Sequence, residues 1–175
     1  MNLKGTHTET NLKRALQGEA LAYAKYQIYA SLIGEISKDL EEKINHIAHN
    51  EKEHFKIWRK LLLEKGYYNN EENLLDAIIG EVTECEEMYP EFARIAREEG
   101  FDEIAEKFDQ VANIECHHSW LFEDFLDYIT KEKYNKENEK GFICLNCGYI
   151  HNKEVAPEVC PVVIIQKNIL FVLIK

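Results

Sequence analysis

Glu-x-x-His occurs twice in this chain, as Glu51/His54 and Glu115/His118. A further glutamate precedes each motif at nearly the same distance, Glu19 by 32 residues and Glu81 by 34. On a helix, positions i and i+3 share a face, so each motif presents a carboxylate and an imidazole to one point. A helix carrying a Glu followed by a helix carrying Glu-x-x-His, twice over, matches a known ligand pattern, that of carboxylate-bridged two-metal sites inside four-helix bundles. Carboxylates neutralise two hard cations, and one imidazole for each adds a borderline donor that suits iron. Glu19 lies among Gly18, Ala20, Leu21 and Ala22, and Glu81 follows Ile78, Ile79 and Gly80. A charge among such neighbours is costly unless it is paired or metal-bound. Glu84, one turn after Glu81, is a further candidate ligand. Tyr26 and Tyr89 lie about two turns after Glu19 and Glu81, where their hydroxyls can reach the ligating carboxylates. His7, His46, His49 and His117 have no matching partners and read as surface or packing residues.

The helices this pattern needs are written elsewhere in the chain. Of its 175 residues only 3 are Pro and 8 Gly, and Glu, Lys, Leu and Ala are abundant. Four long helices are expected, over Thr8–Ile33, Leu40–Lys65, Glu72–Glu99 and Asp102–Lys131. Thr6…Glu9 and Asp39…Glu42 have capping-box spacing, and Gly34, Gly66 and Gly100 stand where helices stop. Pro90 falls inside the third helix and should kink or break it. Short connections favour antiparallel neighbours. Lys plus Arg is 21 against 32 Asp plus Glu, a net charge of −11, which argues against a nucleic-acid partner. No stretch is long and apolar enough to span a bilayer, and residues 1–16 lack the apolar run of a signal peptide, so a cytoplasmic location is expected.

From Gly141 the helical pattern ends. Cys144-Leu145-Asn146-Cys147-Gly148 is a Cys-x-x-Cys knuckle, and Cys160-Pro161 follows. A tetrahedral sulfur site for iron or zinc needs a fourth thiolate at position 163, which is Val163. The chain has 5 cysteines, an odd number that is poor evidence for a disulfide framework. Ten of the last 14 residues are Val, Ile, Leu or Phe, an apolar tail unlike the rest of the module. With codons GTT GTT ATA ATC CAA for positions 162–166, one inserted T reads Val-Cys-Tyr-Asn-Pro and restores the cysteine. The expected organisation is therefore residues 1–133 as a helical bundle, 134–140 as a charged linker and 141–175 as an incomplete cysteine module.

Taken together, Gly18-Glu19, Glu51-x-x-His54, Gly80-Glu81-x-x-Glu84, the run Glu87–Gly100, Glu115-x-x-His118, Cys144-x-x-Cys147-Gly148-Tyr149 and Ala156-Pro157-Glu158-x-Cys160-Pro161 resemble the rubrerythrin family. The resemblance implies an all-α, ferritin-like antiparallel four-helix bundle followed by a small rubredoxin-like, zinc-ribbon-type β module. It implies a non-haem di-iron site held by Glu19, Glu51, His54, Glu81, Glu84, Glu115 and His118. It also implies an iron, or a zinc, at Cys144, Cys147 and Cys160, with the fourth ligand missing at Val163. The implied activity is reduction of hydrogen peroxide to water, an oxidative-stress defence in an anaerobe. Electrons would come from rubredoxin or a reduced-pyridine-nucleotide oxidoreductase and pass through the cysteine site to the di-iron site of a partner subunit in a homodimer. With Val at 163, the alternative is a ferroxidase or iron-binding protein whose relay is impaired.

Overall fold

In a computed structural model, the chain is described over residues 3–63, 69–131 and 141–164, and as backbone over 171–174. It divides into two compact units, Met1–Tyr68 and Asn69–Lys175. The fold class is the expected one, mainly helical with a small C-terminal sheet. The linker 134–140 and most of the tail after 164 lie outside the described residues.

The first unit is a helical hairpin. Helix α1 spans His7–Ile33 and α2 spans Lys38–Leu62. Thr6 caps α1, its hydroxyl accepting from Glu9 N at 3.1 Å, while Glu9 accepts from the Gly5 N–H at 2.6 Å. The Asp39/Glu42 box expected for α2 does not form. Ser37 is the cap, two residues earlier, and its hydroxyl accepts from Leu40 N. Asp39 lies inside the helix, where its exposed carboxylate pairs with Lys43 at 2.6 Å. Gln27 bonds Asn45, and Glu19 accepts from Trp58. Contacts that move back along α1 as they move forward along α2 make the pair antiparallel. Small residues permit the close approach: Ala30 and Ala48 are the buried ones.

The second unit begins with α3, Asn70–Thr83, under a full capping box between Asn69 and Glu72. A five-residue π-helical segment, Glu84–Met88, follows, and then α4, Tyr89–Glu98. Together these are the expected third helix, broken just before Pro90. Pro90 has no N–H and its ring crowds the carbonyl four residues back, so the chain absorbs the misfit in a wide turn. Gly100, at φ +84°, ends α4 in a Schellman motif, with Phe101 N bonded to Ala96 O and Gly100 N to Arg97 O. Helix α5, Asp102–Lys131, returns antiparallel; its Asp109, His118 and Cys116 meet Arg97, Glu81 and Cys85. Ala93, Ala96 and Ala105 form its core with Phe108, whose ring meets Phe92 at 5.6 Å and Tyr89 at 6.0 Å.

A three-stranded antiparallel sheet in the order β2-β1-β3 completes the unit: β1 is Gly141–Cys144, β2 Ile150–His151 and β3 Phe171–Ile174. The strands of this module hold the cysteine knuckles, and the ammonium of Lys107 on α5 donates to the carbonyls of Pro161 and Val162 in the second knuckle. The odd cysteine count gave no pointer to a disulfide, yet Cys85 and Cys116 are bonded. The sequence hid this because the two lie 31 residues apart and meet only where the π segment packs on α5.

Candidate metal centres

Three clusters of metal-ligating side chains stand among the described residues: Glu19, Glu51 and His54; Glu81, Glu115 and His118; and Cys144, Cys147 and Cys160. In each, one ligand atom per residue lies within 4.8 Å of the others. Six of the seven predicted carboxylate and histidine ligands thus fall into two like sets, one per unit. Glu84, the seventh, lies outside these sets, on the first residue of the π segment.

The two sets share one construction. In the first unit His54 Nδ1 is 2.8 Å from Glu51 and 3.8 Å from Glu19. In the second His118 Nδ1 is 2.7 Å from Glu115 and 3.5 Å from Glu81. Helical i,i+3 spacing makes the short contact, and the facing helix supplies the longer one. Sequence reasoning missed Trp58, whose indole N–H donates to Glu19 at 3.2 Å and orients that carboxylate. A Trp one turn after a ligand histidine was the available signal. Tyr26 packs its ring against Tyr29 at 6.2 Å. Tyr89 faces the chemistry: burial and the charges of Glu84, Glu115 and Glu81 push its phenol above the ordinary value.

The donor set fits a cation. Burial, and then the hydrogen bond and charge of Glu115, raise the Glu81 carboxyl above its usual range, against the opposing pull of His118. Two crowded carboxylates beside an imidazole are a site that positive charge relieves. A raised carboxyl binds its proton more tightly folded than unfolded. Metal-free protein is therefore expected to lose stability as pH rises from the ordinary carboxylate range through the raised Glu81 value. Thermal melts of metal-free chain against pH check this, and Glu81→Gln is expected to flatten the slope.

The cysteine module has two knuckles with one backbone. Gly148 N bonds Cys144 O at 2.8 Å, and Ile164 N bonds Cys160 O at 2.9 Å. Both closing residues are left-handed, Gly148 at φ +76° and Ile164 at +52°. Val163 therefore occupies in the second knuckle the place of Cys147 in the first, and Ile164 the place of Gly148. A β-branched residue in that conformation is strained by about 1–2 kcal/mol. Cys144 and Cys160 are fully buried, and Cys147 Sγ is 3.7 Å from Cys160 Sγ. Burial opposes ionisation of Cys144, but the N–H groups of Asn146 and Cys147 and the neighbouring thiols outweigh it and hold that thiol below its usual value. Burial, and behind it the neighbouring sulfurs, push Cys147 up to about 12, against a bond from the Tyr149 backbone. A cation binding the three would take the place of those protons.

The first knuckle rests on α5 beside a predicted ligand. A Cβ on Gly148 would lie 2.7 Å from His118 Nε2 and 3.1 Å from Ile114 Cγ2. Gly148→Ala adds that clash to a left-handed backbone. It is expected to lower the melting temperature by about 5 °C or more and to loosen the module from α5, read as faster amide exchange over residues 141–164.

A family model described as Rubrerythrin matches residues 10–71 and 72–145. A second, described as Rubrerythrin, rubredoxin-like domain, matches residues 142–162. The chain is 37% identical to a rubrerythrin of Nitratidesulfovibrio vulgaris, with 91% of each chain covered. It is 33% identical to a rubrerythrin of Porphyromonas gingivalis, over 91% of this chain and 86% of the relative. Nigerythrin of Nitratidesulfovibrio vulgaris is 30% identical over 89% of this chain and 81% of the relative. A solved structure titled as the fully reduced, all-ferrous state of nigerythrin aligns with a TM-score of 0.43 at 28% identity, covering 96% of this chain and 87% of that one. The repeated ligand sets, the paired knuckles, the two family models and the rubrerythrin relatives matched along nearly the whole chain lead to one conclusion: the chain belongs to the rubrerythrin family, whose members are oxidoreductases.

Proposed function

We propose that this chain is a non-haem di-iron peroxidase that reduces hydrogen peroxide to water. The observation that carries the reading is the recurrence of one ligand set, Glu with Glu-x-x-His, in both helical units. Glu19, Glu51 and His54 would hold one iron and Glu81, Glu115 and His118 the other, with Glu84 a further candidate ligand in the second unit. When bound, two ferrous irons supply Lewis acidity toward the O–O bond and two electrons. The protein's own part is positioning. Glu51 and Glu115 stand 2.8 and 2.7 Å from the Nδ1 atoms of His54 and His118, so each Glu-x-x-His pair would present both donors to one metal, and Trp58 holds Glu19 by a hydrogen bond. Tyr89 keeps its phenolic proton at neutral pH beside the glutamates, where it can be donated to oxygen leaving as water. Gly148 carries the cysteine knuckle up to His118 within one chain, so the reading places the donor side of the reaction on the second unit.

Rubredoxin or a reduced-pyridine-nucleotide oxidoreductase is the proposed electron donor, and a cytoplasmic homodimer the proposed form. No helix among the described residues is long and apolar enough to cross a membrane. Leu21, Ile79 and Trp120 are 61%, 66% and 59% exposed in the single chain, apolar surface that assembly would cover. The test is metal content and visible spectrum of anaerobically purified protein, followed by donor-dependent peroxide consumption. Iron in the chain with peroxide turnover supports the reading, and iron without turnover overturns it. Val163 favours a second reading, a ferroxidase with an impaired relay, which predicts ferrous iron oxidation by oxygen with negligible donor-dependent turnover.

A further inference from the structure

Two of the five cysteines have no part in the knuckles, and the structure brings these two together. Cys85 is the second residue of the π segment and Cys116 lies on α5; they are bonded with Cα atoms 5.0 Å apart. Each directly follows a glutamate of the second unit, and one of these, Glu115, belongs to its ligand set. Glu84 precedes Cys85, Glu115 precedes Cys116, and both glutamates act on Tyr89. Cys85 is also one helical turn beyond Glu81, and Cys116 lies between Glu115 and His118. The pair thus ties the π segment, which directly follows the Glu81-bearing α3, to α5, which carries Glu115 and His118. Both residues are only partly buried, so small reagents reach them.

We propose that Cys85 and Cys116 are a second redox centre, a dithiol that supplies two electrons to peroxide reduction at the adjacent ligand set and closes to the disulfide. This rests on the peroxidase reading above. The balance is complete: each thiol gives one electron and one proton, an S–S bond forms, the O–O bond of hydrogen peroxide breaks, and two waters leave. A dithiol reductant returns the pair to thiols by exchange. The pair matters in this chain because Val163 removes a thiolate from the other electron source.

The test uses the full chain, reduced with a trialkylphosphine, freed of it, loaded with ferrous iron anaerobically and titrated with hydrogen peroxide. Free thiols are then alkylated and mapped by peptide mass. The expected result is that peptides bearing Cys85 and Cys116 lose their label together and appear cross-linked without reductant. Peroxide consumed per chain is roughly twofold that of the Cys85→Ser/Cys116→Ser variant. If that variant does not fold, the label on the unmutated chain decides. Peroxide consumption with both thiols still labelled overturns the proposal and leaves the peroxidase reading standing. A disulfide that forms equally fast in metal-free chain also overturns it, because the pair then acts apart from the metal site. A loaded chain that consumes no peroxide overturns both.

Discussion

Val163→Cys is expected to complete the cysteine site. The second knuckle already has the backbone of the first, with Ile164 N bonded to Cys160 O and position 163 where a thiolate belongs. Only the sulfur is absent. A structural four-ligand site is worth about 10–16 kcal/mol. One ligand in four is then worth ~3 kcal/mol, roughly a hundredfold in metal affinity. The variant should gain about one iron per chain and the red colour of a ferric-thiolate centre, read by metal analysis and visible absorption. Donor-dependent peroxide turnover should rise with it. Adding Ile164→Gly relieves the left-handed isoleucine and should raise the melting temperature further. If the unmutated chain already holds iron in tetrahedral sulfur ligation and turns over as fast, the missing thiolate is not limiting. Sequencing the 3′ end of the gene bears on the same point: codons that cannot yield Cys in the shifted frame exclude a one-base origin for the tail.

His118→Ala is expected to be the most damaging single change at the second unit's ligand set. His118 Nδ1 stands 2.7 Å from Glu115 and 3.5 Å from Glu81, so its loss leaves two crowded carboxylates with neither imidazole nor full charge balance. The Glu81 carboxyl, already raised by burial and Glu115, loses the neighbour that opposed the shift and should climb further. Losing one of three protein ligands should cost roughly 10²-fold or more in metal affinity, beyond the 10–100-fold typical of outer partners. Peroxidase activity should fall with it. Circular dichroism should stay near that of the parent, because the side chain is partly exposed and Glu115 lies on the same helix. His54→Ala makes the matching test in the first unit, where Trp58 still holds Glu19. A variant that keeps its full iron content would remove that histidine from the ligand set.

Particular elements separate what was legible from what was not. Helix α1 read correctly from Thr6 to Gly34 because cap, period and stop are all local signals. Helix α2 begins two residues earlier than the spacing predicts because Ser37 and Asp39 are both good caps, and local pattern does not choose between them. Pro90 announced a break in the third helix, but not that a π segment would absorb it and swing Cys85 against Cys116. The clustering of the three side chains in each set was legible because i,i+3 spacing and helix order suffice to bring them together. Trp58 and the contact of Gly148 with His118 were not, since each joins residues distant in the chain.

The sequence by itself determined the helices, the ligand types and the family, because capping, periodicity and spacing are properties of neighbouring residues. Tertiary structure alone decided which groups share an environment. It crowded Glu81 against Glu115, set Tyr89 among three glutamates and seated a cysteine knuckle on α5. Those outcomes depend on burial and on distances across elements, which no local pattern encodes.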